Sequence, residues 1–394
     1  MLPIPARMVF VDPQVRLQEN CRRRLDRMLP HIACSDVREM TPQDYAQTLQ
    51  VRKRRHGKDD FGDDCTVVFT TFDESRRGWY YNDRNEEALT RLPGGGFCQR
   101  ATELNIVDGC VFRCAYCGFG RYIVFYLDVE RFMRGLDEAF ARYPQQTLYK
   151  YSNMTDLPPF EPELDAVRPM VELFARDERR YLMLFTKSDN VDFLLNLEHR
   201  GRTIVSWSLS SDTVSRLVDR RTASSDQRIA AMRKCRQAGY IVRARLSPIV
   251  PVRDWRREYT EFLEKLFAGA RPDIVTLELL GWLDIEDLER IIPPGLLDPD
   301  ALAAARAGAA ELRGQRAGPF PEAVHQEVYR HCMETVQRLA PGTPVAFCHG
   351  TPETWAALKP AGMNPNDYVC NCGPCSTPGQ KLYDCLVARA ARAS

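Results

Sequence analysis

Between residues 104 and 279 the chain repeats one alternation, a short β-branched or apolar run followed by a stretch of helical spacing. The runs fall at 104–107, 147–151, 181–185, 203–209, 241–248 and 274–279. The helical patterns between them cover 129–143, 163–175, 191–198, 225–238 and 255–267. Strands alternating with helices in this way form a parallel sheet with the helices packed outside it. Right-handed crossovers curl such a sheet into a full or partial barrel. The expected fold is therefore α/β, a partial (β/α)6 TIM-like barrel over 98–290. A polar, mostly helical N-terminal region is expected over 1–97, with a loop at 58–64 and a hinge at Gly94-Gly95-Gly96. Pro293-Pro294-Gly295 breaks the alternation, and a helical, Cys-rich extension at 291–394 follows, with helices at 300–313 and 322–339 and a short strand at 344–348.

Just after the first run stand Cys110, Cys114 and Cys117, in Gly109-Cys110-Val111-Phe112-Arg113-Cys114-Ala115-Tyr116-Cys117-Gly118. Ligand chemistry in a barrel of parallel strands belongs at the strands' C-terminal ends, which is where this loop begins. Three thiolates at Cys-x3-Cys-x2-Cys spacing can ligate three irons of a [4Fe-4S] cube and leave the fourth iron open. An open iron can bind a small chelating molecule, so the motif points to catalysis. The alternative is a zinc knuckle, which wants a fourth ligand near by, and no His lies between Gly57 and Glu198.

A net charge of +1 argues against binding driven by a strong phosphate field. Arg-rich pieces such as Arg22-Arg23-Arg24 and Arg52-Lys53-Arg54-Arg55 read as solvated helix faces. No apolar run approaches the ~20 residues that span a bilayer, and residues 1–7 lack a signal-peptide pattern, so a cytoplasmic location without membrane contact is expected. There, disulfides are disfavoured, and clustered members of the 14 cysteines read as metal ligands or catalytic groups. A second cluster, Cys370-Asn371-Cys372-Gly373-Pro374-Cys375, has turn residues that let thiolates wrap one centre. Cys348 is the expected fourth ligand, with Cys385 or His349 as alternatives. The cluster reads as an auxiliary Fe-S centre, with structural zinc or free thiols as the competing readings. An auxiliary centre would pass electrons or give up a sulfide in sulfur insertion.

The cysteine spacing, with an aromatic before the last Cys, resembles the signature of the radical S-adenosylmethionine (SAM) superfamily. Residues 98–282 resemble its spore photoproduct lyase branch through Leu184-Phe185-Thr186-Lys187-Ser188-Asp189-Asn190-Val191-Asp192, through Gly201-Arg202-Thr203-Ile204-Val205-Ser206-Trp207-Ser208-Leu209-Ser210, and through Arg221-Thr222-Ala223-Ser224-Ser225. The blocks continue with Arg228-Ile229-Ala230-Ala231 and Gly239-Tyr240. The resemblance implies a partial barrel of the radical SAM type and a cluster-bound SAM cleaved reductively to a 5′-deoxyadenosyl radical. It implies that Lys187 and Ser208 contact SAM and that Tyr116 lies near the adenine. The superfamily's Gly-Glu pair is replaced by Lys150-Tyr151-Ser152-Asn153-Met154-Thr155-Asp156, in which Thr155 and Asn153 are the chosen substitutes and Ser152 and Asp156 are further candidates. The branch carries a hydrogen-donating Cys in that region, whereas this chain has none between Cys117 and Cys235.

The expected function is a radical SAM enzyme that abstracts hydrogen from a nucleoside- or nucleotide-like or sugar substrate, assisted by an auxiliary cluster and an external one-electron reductant such as flavodoxin or ferredoxin. The alternatives are repair of a DNA lesion in the manner of spore photoproduct lyase, with Tyr151 or a C-terminal Cys as donor, and a non-catalytic Fe-S or zinc protein that binds nucleic acid. Arg243 and Arg245 alternate with Val242 and Ala244, so both point to one face and are candidate substrate contacts.

Overall fold

The computed structural model describes residues 1–41, 44, 65–73, 78–82, 101–120, 122–151, 154–348, 352–358 and 377–378. Its strands in chain order are β1 (Ile4–Pro5), β2 (Met8–Val11), β3 (Ile32–Ala33), β4 (Val37–Glu39), β5 (Thr66–Thr70), β6 (Trp79–Asn82), β7 (Ala101–Leu104) and β8 (Val107–Asp108). They continue with β9 (Tyr122–Tyr126), β10 (Leu148–Tyr151), β11 (Tyr181–Thr186), β12 (Thr203–Leu209), β13 (Ile241–Ile249), β14 (Val275–Leu279) and β15 (Val345–Phe347).

The larger sheet runs β15-β14-β13-β12-β11-β10-β7-β6. Every neighbour from β7 to β15 pairs in parallel, and only the edge strand β6 runs antiparallel, against β7. Five of the six expected barrel strands thus appear in place, whereas the first, expected at 104–107, lies at Ala101–Leu104, and Val107–Asp108 joins a different sheet. The curled parallel sheet is a partial TIM-like barrel. Its two faces differ because side chains alternate. Tyr149, Leu182, Leu184, Val205, Trp207, Val242, Ala244, Leu246, Val275 and Leu277 are buried in the main core. Helices Val129–Arg142, Val167–Ala175, Ser225–Gln237 and Trp255–Gly269 follow β9, β10, β12 and β13. Tyr149, for example, meets Phe140 and Phe174 of the first two edge-on. The opposite, concave face begins with an apolar layer, Leu148, Met183, Phe185 and Ile204. Toward the C-terminal ends of the strands the layers above it turn polar, with Lys150, Ser206, Ser208, Arg243, Arg245, Thr276 and Glu278.

Three further expectations need correction. The N-terminal region is not mostly helical among the described residues. It holds the helices Pro13–Leu17 and Glu19–Met28 but also β2, β4 and β5, which join a second sheet, β4-β2-β5-β9-β8. Thr66–Thr70 is buried at every position, as is most of Met8–Val11. A strand covered on both faces has no period-two signal to read. The stretch 191–198 holds only the 3-10 turn Asp192–Leu194, because Arg200 and Gly201 at φ 46° and 69° turn the chain straight into β12. The stretch 300–313 is two helices, Pro299–Ala307 and Ala309–Leu312, divided at Gly308. No helix among the described residues is long and apolar enough to cross a membrane.

Glu161 organises the chain between β10 and β11. Its carboxylate accepts from the Ala166 and Val167 amides at 2.9 and 3.1 Å, heading the helix Val167–Ala175. Burial pushes its pKa up to about 7. Between its ordinary value of 4.5 and about 7, the folded chain therefore keeps a proton that the unfolded chain has released. Stability from this group falls as pH rises through that window. Glu161→Gln keeps the acceptor and removes the titration, so urea unfolding should show the variant losing about 3 kcal/mol less than the parent between pH 4.5 and 8. Equal losses would contradict this.

Candidate active site

The cysteine loop is fastened at both ends before any ligand is considered. Gly109 follows β8 at φ 91°, and a Cβ there would stand 1.8 Å from the Tyr122 carbonyl oxygen, so only glycine lets the chain turn here. The Cys110 amide donates to the Phe119 carbonyl at 2.8 Å and the Cys117 amide to that of Cys114 at 3.0 Å. The Ala115 amide donates to the Val218 carbonyl at 2.8 Å, tying the loop to the end of helix Asp212–Val218. Tyr151 supports it from below, its hydroxyl accepting from the Ile106 amide at 2.9 Å. Tyr151 is buried in the main core and lies one residue out of step with the concave face.

Cys114 is buried and Cys110 and Cys117 are partly so. Burial raises all three thiols above their ordinary pKa. The charges of Cys114 and Cys117 each raise Cys110 further, while Lys187 pulls Cys114 and Cys117 down, so the three sulfurs share one electrostatic environment beside a cation. Among the described residues no group of three or more His, Cys, Asp or Glu closes around a single metal ion. A cube that takes each thiolate on its own iron does not require such closure.

Beside the loop lies a buried ionic network. The Lys187 ammonium, just past β11, donates to both Asp219 oxygens at 2.9 and 3.0 Å and to the Ser247 carbonyl at 3.1 Å. It lies 5.7 Å from the centre of the Tyr116 ring. Arg228, fully buried, donates to Asp219 at 2.9 Å, to the Ser208 carbonyl at 2.8 Å and to the Ala223 carbonyl at 2.7 Å, and also bonds Thr222. Burial alone would raise the Asp219 carboxyl, but Lys187 and Arg228 hold it below its ordinary value. The Lys187 ammonium thus has three acceptors already, and a ligand carboxylate would reach it by exchanging one of them. Asp156 accepts from the Thr186 hydroxyl at 2.8 Å and the Lys187 amide at 2.6 Å, and burial raises its pKa to about 7. Next to it the buried Thr155 hydroxyl makes no hydrogen bond. Such an orphaned group at the strand ends, beside the thiols and a cation, fits a site that takes a polar ligand.

On the concave face Ser208 pairs in register with Arg245, and both point to the same side. Arg245 donates to Glu278 at 2.7 Å and to the Cys348 sulfur at 3.4 Å, with its guanidinium 5.7 Å from the Phe185 ring centre. Arg243, one layer lower and fully buried, donates to Asp273 at 3.2 Å. The two arginines share a face as expected, but only Arg245 lies in the layer beside Ser208. Asn153 and Ser152 lie outside the described residues.

Residues 100–282 match the Spore photoproduct lyase family model. A spore photoproduct lyase of Bacillus subtilis (strain 168) is 28% identical over 194 residues, 47% of this chain and 57% of the relative. One from Geobacillus sp. (strain Y412MC61) is 26% identical over 201 residues, 48% of this chain and 58% of the relative. The chain thus spans little more than half the length of the curated relatives it matches. Among solved structures, a spore photoproduct lyase complexed with dinucleoside spore photoproduct superposes with a TM-score of 0.65 at 19% identity, over 88% of this chain and all of the other. A double mutant of spore photoproduct lyase, with bound AdoMet and dinucleoside spore photoproduct, gives a TM-score of 0.63 at 18% identity over 87% of this chain and 98% of that chain. At these identities the superposition shows the shared fold.

The second cysteine group, Cys370, Cys372 and Cys375, lies outside the described residues, as do His349 and Cys385. Its expected partner Cys348 is described, at the C-terminal end of β15, where its carbonyl accepts from the Tyr329 hydroxyl at 2.9 Å. Thr377, two residues past Cys375, meets Thr147 at 2.8 Å, just ahead of β10. Cys348 and Thr377 therefore stand at opposite ends of the parallel strands.

The residues that sequence reading missed are Asp219, Asp273 and Glu278, each a lone acid with no motif around it. Arg228 was visible only as part of a family block. Removing Asp219 strands two buried cations. Asp219→Ala should cost about 3–5 kcal/mol in urea unfolding, and a loss below about 1 kcal/mol would show that the network does not hold these elements together.

Proposed function

We propose that this chain is a radical SAM enzyme that acts on a thymine-derived lesion in DNA of the spore photoproduct kind. The observation that carries the reading is a coincidence of place. The stretch matched by the Spore photoproduct lyase family contains the cysteine loop, the Lys187 strand end and the Ser208 strand, and the Lys187 charge acts on the Cys114 and Cys117 thiols.

In this reading Cys110, Cys114 and Cys117 hold a [4Fe-4S] cluster whose open iron takes SAM. When bound, the reduced cluster and SAM would supply a 5′-deoxyadenosyl radical to abstract hydrogen from the substrate, and Tyr151 or a C-terminal cysteine would give a hydrogen atom back to the repaired thymine. The chain's own residues bind and orient. Lys187, preset by Asp219, offers its ammonium to the SAM carboxylate. The orphan Thr155 hydroxyl and Ser208 offer polar contacts, Asn153 lies two residues from Thr155, and the Tyr116 ring stands beside Lys187. Arg245, held by Glu278, places a cation on the concave face, where a substrate phosphate would meet it. An external one-electron reductant such as flavodoxin or ferredoxin completes the system.

A second reading, hydrogen abstraction from a small nucleotide, rests on the lack of any cysteine between Cys117 and Cys235 to return hydrogen to a lesion. We also propose an auxiliary Fe-S cluster on Cys370, Cys372 and Cys375, with zinc as the alternative.

Anaerobic protein given dithionite, SAM and a dinucleoside spore photoproduct should release 5′-deoxyadenosine and thymine dinucleotide, and Cys114→Ala should lose both. Release of 5′-deoxyadenosine without repair would favour the small-nucleotide reading. No 5′-deoxyadenosine from fully loaded protein would contradict the enzyme altogether. For the second centre, replacing Cys370, Cys372 and Cys375 together by Ala should lower iron and sulfide per chain by about half. Unchanged values would rule out an auxiliary cluster.

A further inference from the structure

Among the described residues, only two large aromatic side chains are exposed, Phe119 at 40% and Trp282 at 65%. Trp282 follows the C-terminal end of a strand of the larger sheet, and Phe119 lies in the turn Gly118–Gly120 just ahead of β9. Phe119 sits in the cysteine loop, with its carbonyl bonded to the Cys110 amide. Trp282 comes three residues after β14 and four after Glu278, the partner of Arg245.

The backbone at Trp282 is strained. Its φ of 64° lies in the left-handed region, where a bulky residue persists only if its surroundings dictate it. Those surroundings are the segment 313–318, which clamps the turn. The Trp282 amide donates to the Arg316 carbonyl at 3.1 Å, and the Gly314 amide donates to Asp284 at 2.8 Å. Arg313 pairs with Glu286 at 2.6 Å. At Gly318 any Cβ would meet the Leu283 carbonyl oxygen at 3.0 Å. The fold thus commits contacts and a strained dihedral to hold an indole ring out in solvent. The Arg316 guanidinium lies 5.5 Å from the ring centre, so the ring has a cation against it before any ligand arrives. Arg253, exposed and just beyond β13, adds a second cation near the strand ends, braced on the Gly295 carbonyl.

A protein that does chemistry on a base must draw that base out of its stack. A rigid, cation-backed aromatic ring at the rim replaces the lost stacking and does so for any base. We infer that Trp282 is the stacking platform for an unstacked nucleobase at the rim of the barrel, with Arg316 against its ring for a flanking phosphate. The inference rests on the nucleic-acid reading above and deepens it.

The test is fluorescence anisotropy of the full chain with labelled single-stranded oligothymidylate. Trp282→Gly removes the ring and relieves the backbone, and should weaken binding at least about fivefold with an unchanged thermal midpoint. Trp282→Phe should stay within about threefold of the parent. Oligothymidylate should also quench the tryptophan emission of the parent and quench it less in Trp282→Gly. Equal binding and equal quenching in parent and Trp282→Gly would overturn the platform and leave the proposed function standing. If the parent binds no oligonucleotide, the nucleic-acid reading fails with it, and the exposed ring serves another partner.

Discussion

One buried carboxylate joins nearly everything that matters in this molecule. Asp219 carries no exposed side-chain surface, yet it binds the cations of Lys187 and Arg228. Through Lys187 it reaches the end of β11 and the Ser247 carbonyl on β13, and through Arg228 the Ser208 carbonyl on β12. The residue before it, Val218, accepts the Ala115 amide from inside the cysteine loop. Three strand ends, one helix and the loop are thus held by charges whose isolated burial would be prohibitive. Such a network adds little net stability, but it leaves few alternative arrangements for the groups around it. A site that must set three thiols beside a cation needs that restriction more than it needs raw stability.

The sheet divides the labour. Its convex face is apolar and closes under helices, so the strands cannot slip without moving a full layer of side chains into water. Its concave face is then free to carry polar groups. The layers grade from apolar at the N-terminal ends of the strands to Ser208, Arg245 and Glu278 at the other, where the thiols lie. The paired states of Arg243 and Arg245 follow from depth. The lower arginine is sealed by Asp273, whereas the upper one, with its side chain 11% exposed, is braced by Glu278 in the layer of Ser208.

How much of this was legible in the sequence depended on range. Thr203–Leu209 and Glu322–Leu339 were read to the residue, because each is a long unbroken pattern with clear ends. The second sheet was not, since β2 and β5 are covered on both sides and show no alternation. The cysteine loop was legible because its three cysteines are close together in the chain. Asp219 was not, because its partners lie 32 and 9 residues away in the chain and nothing in Val218-Asp219-Arg220 announces them. The face that Tyr151 serves was hidden for a similar reason, since its position one step from Lys150 decides it, and only the register reveals that.

The central claim is that Cys110, Cys114 and Cys117 hold a cluster with an iron open to SAM. Electron paramagnetic resonance of the dithionite-reduced protein, with and without SAM, tests it most directly. The account predicts a reduced [4Fe-4S] signal that shifts when SAM is added and disappears in Cys114→Ala. A signal that ignores SAM, or one that survives the loss of Cys114, would contradict it.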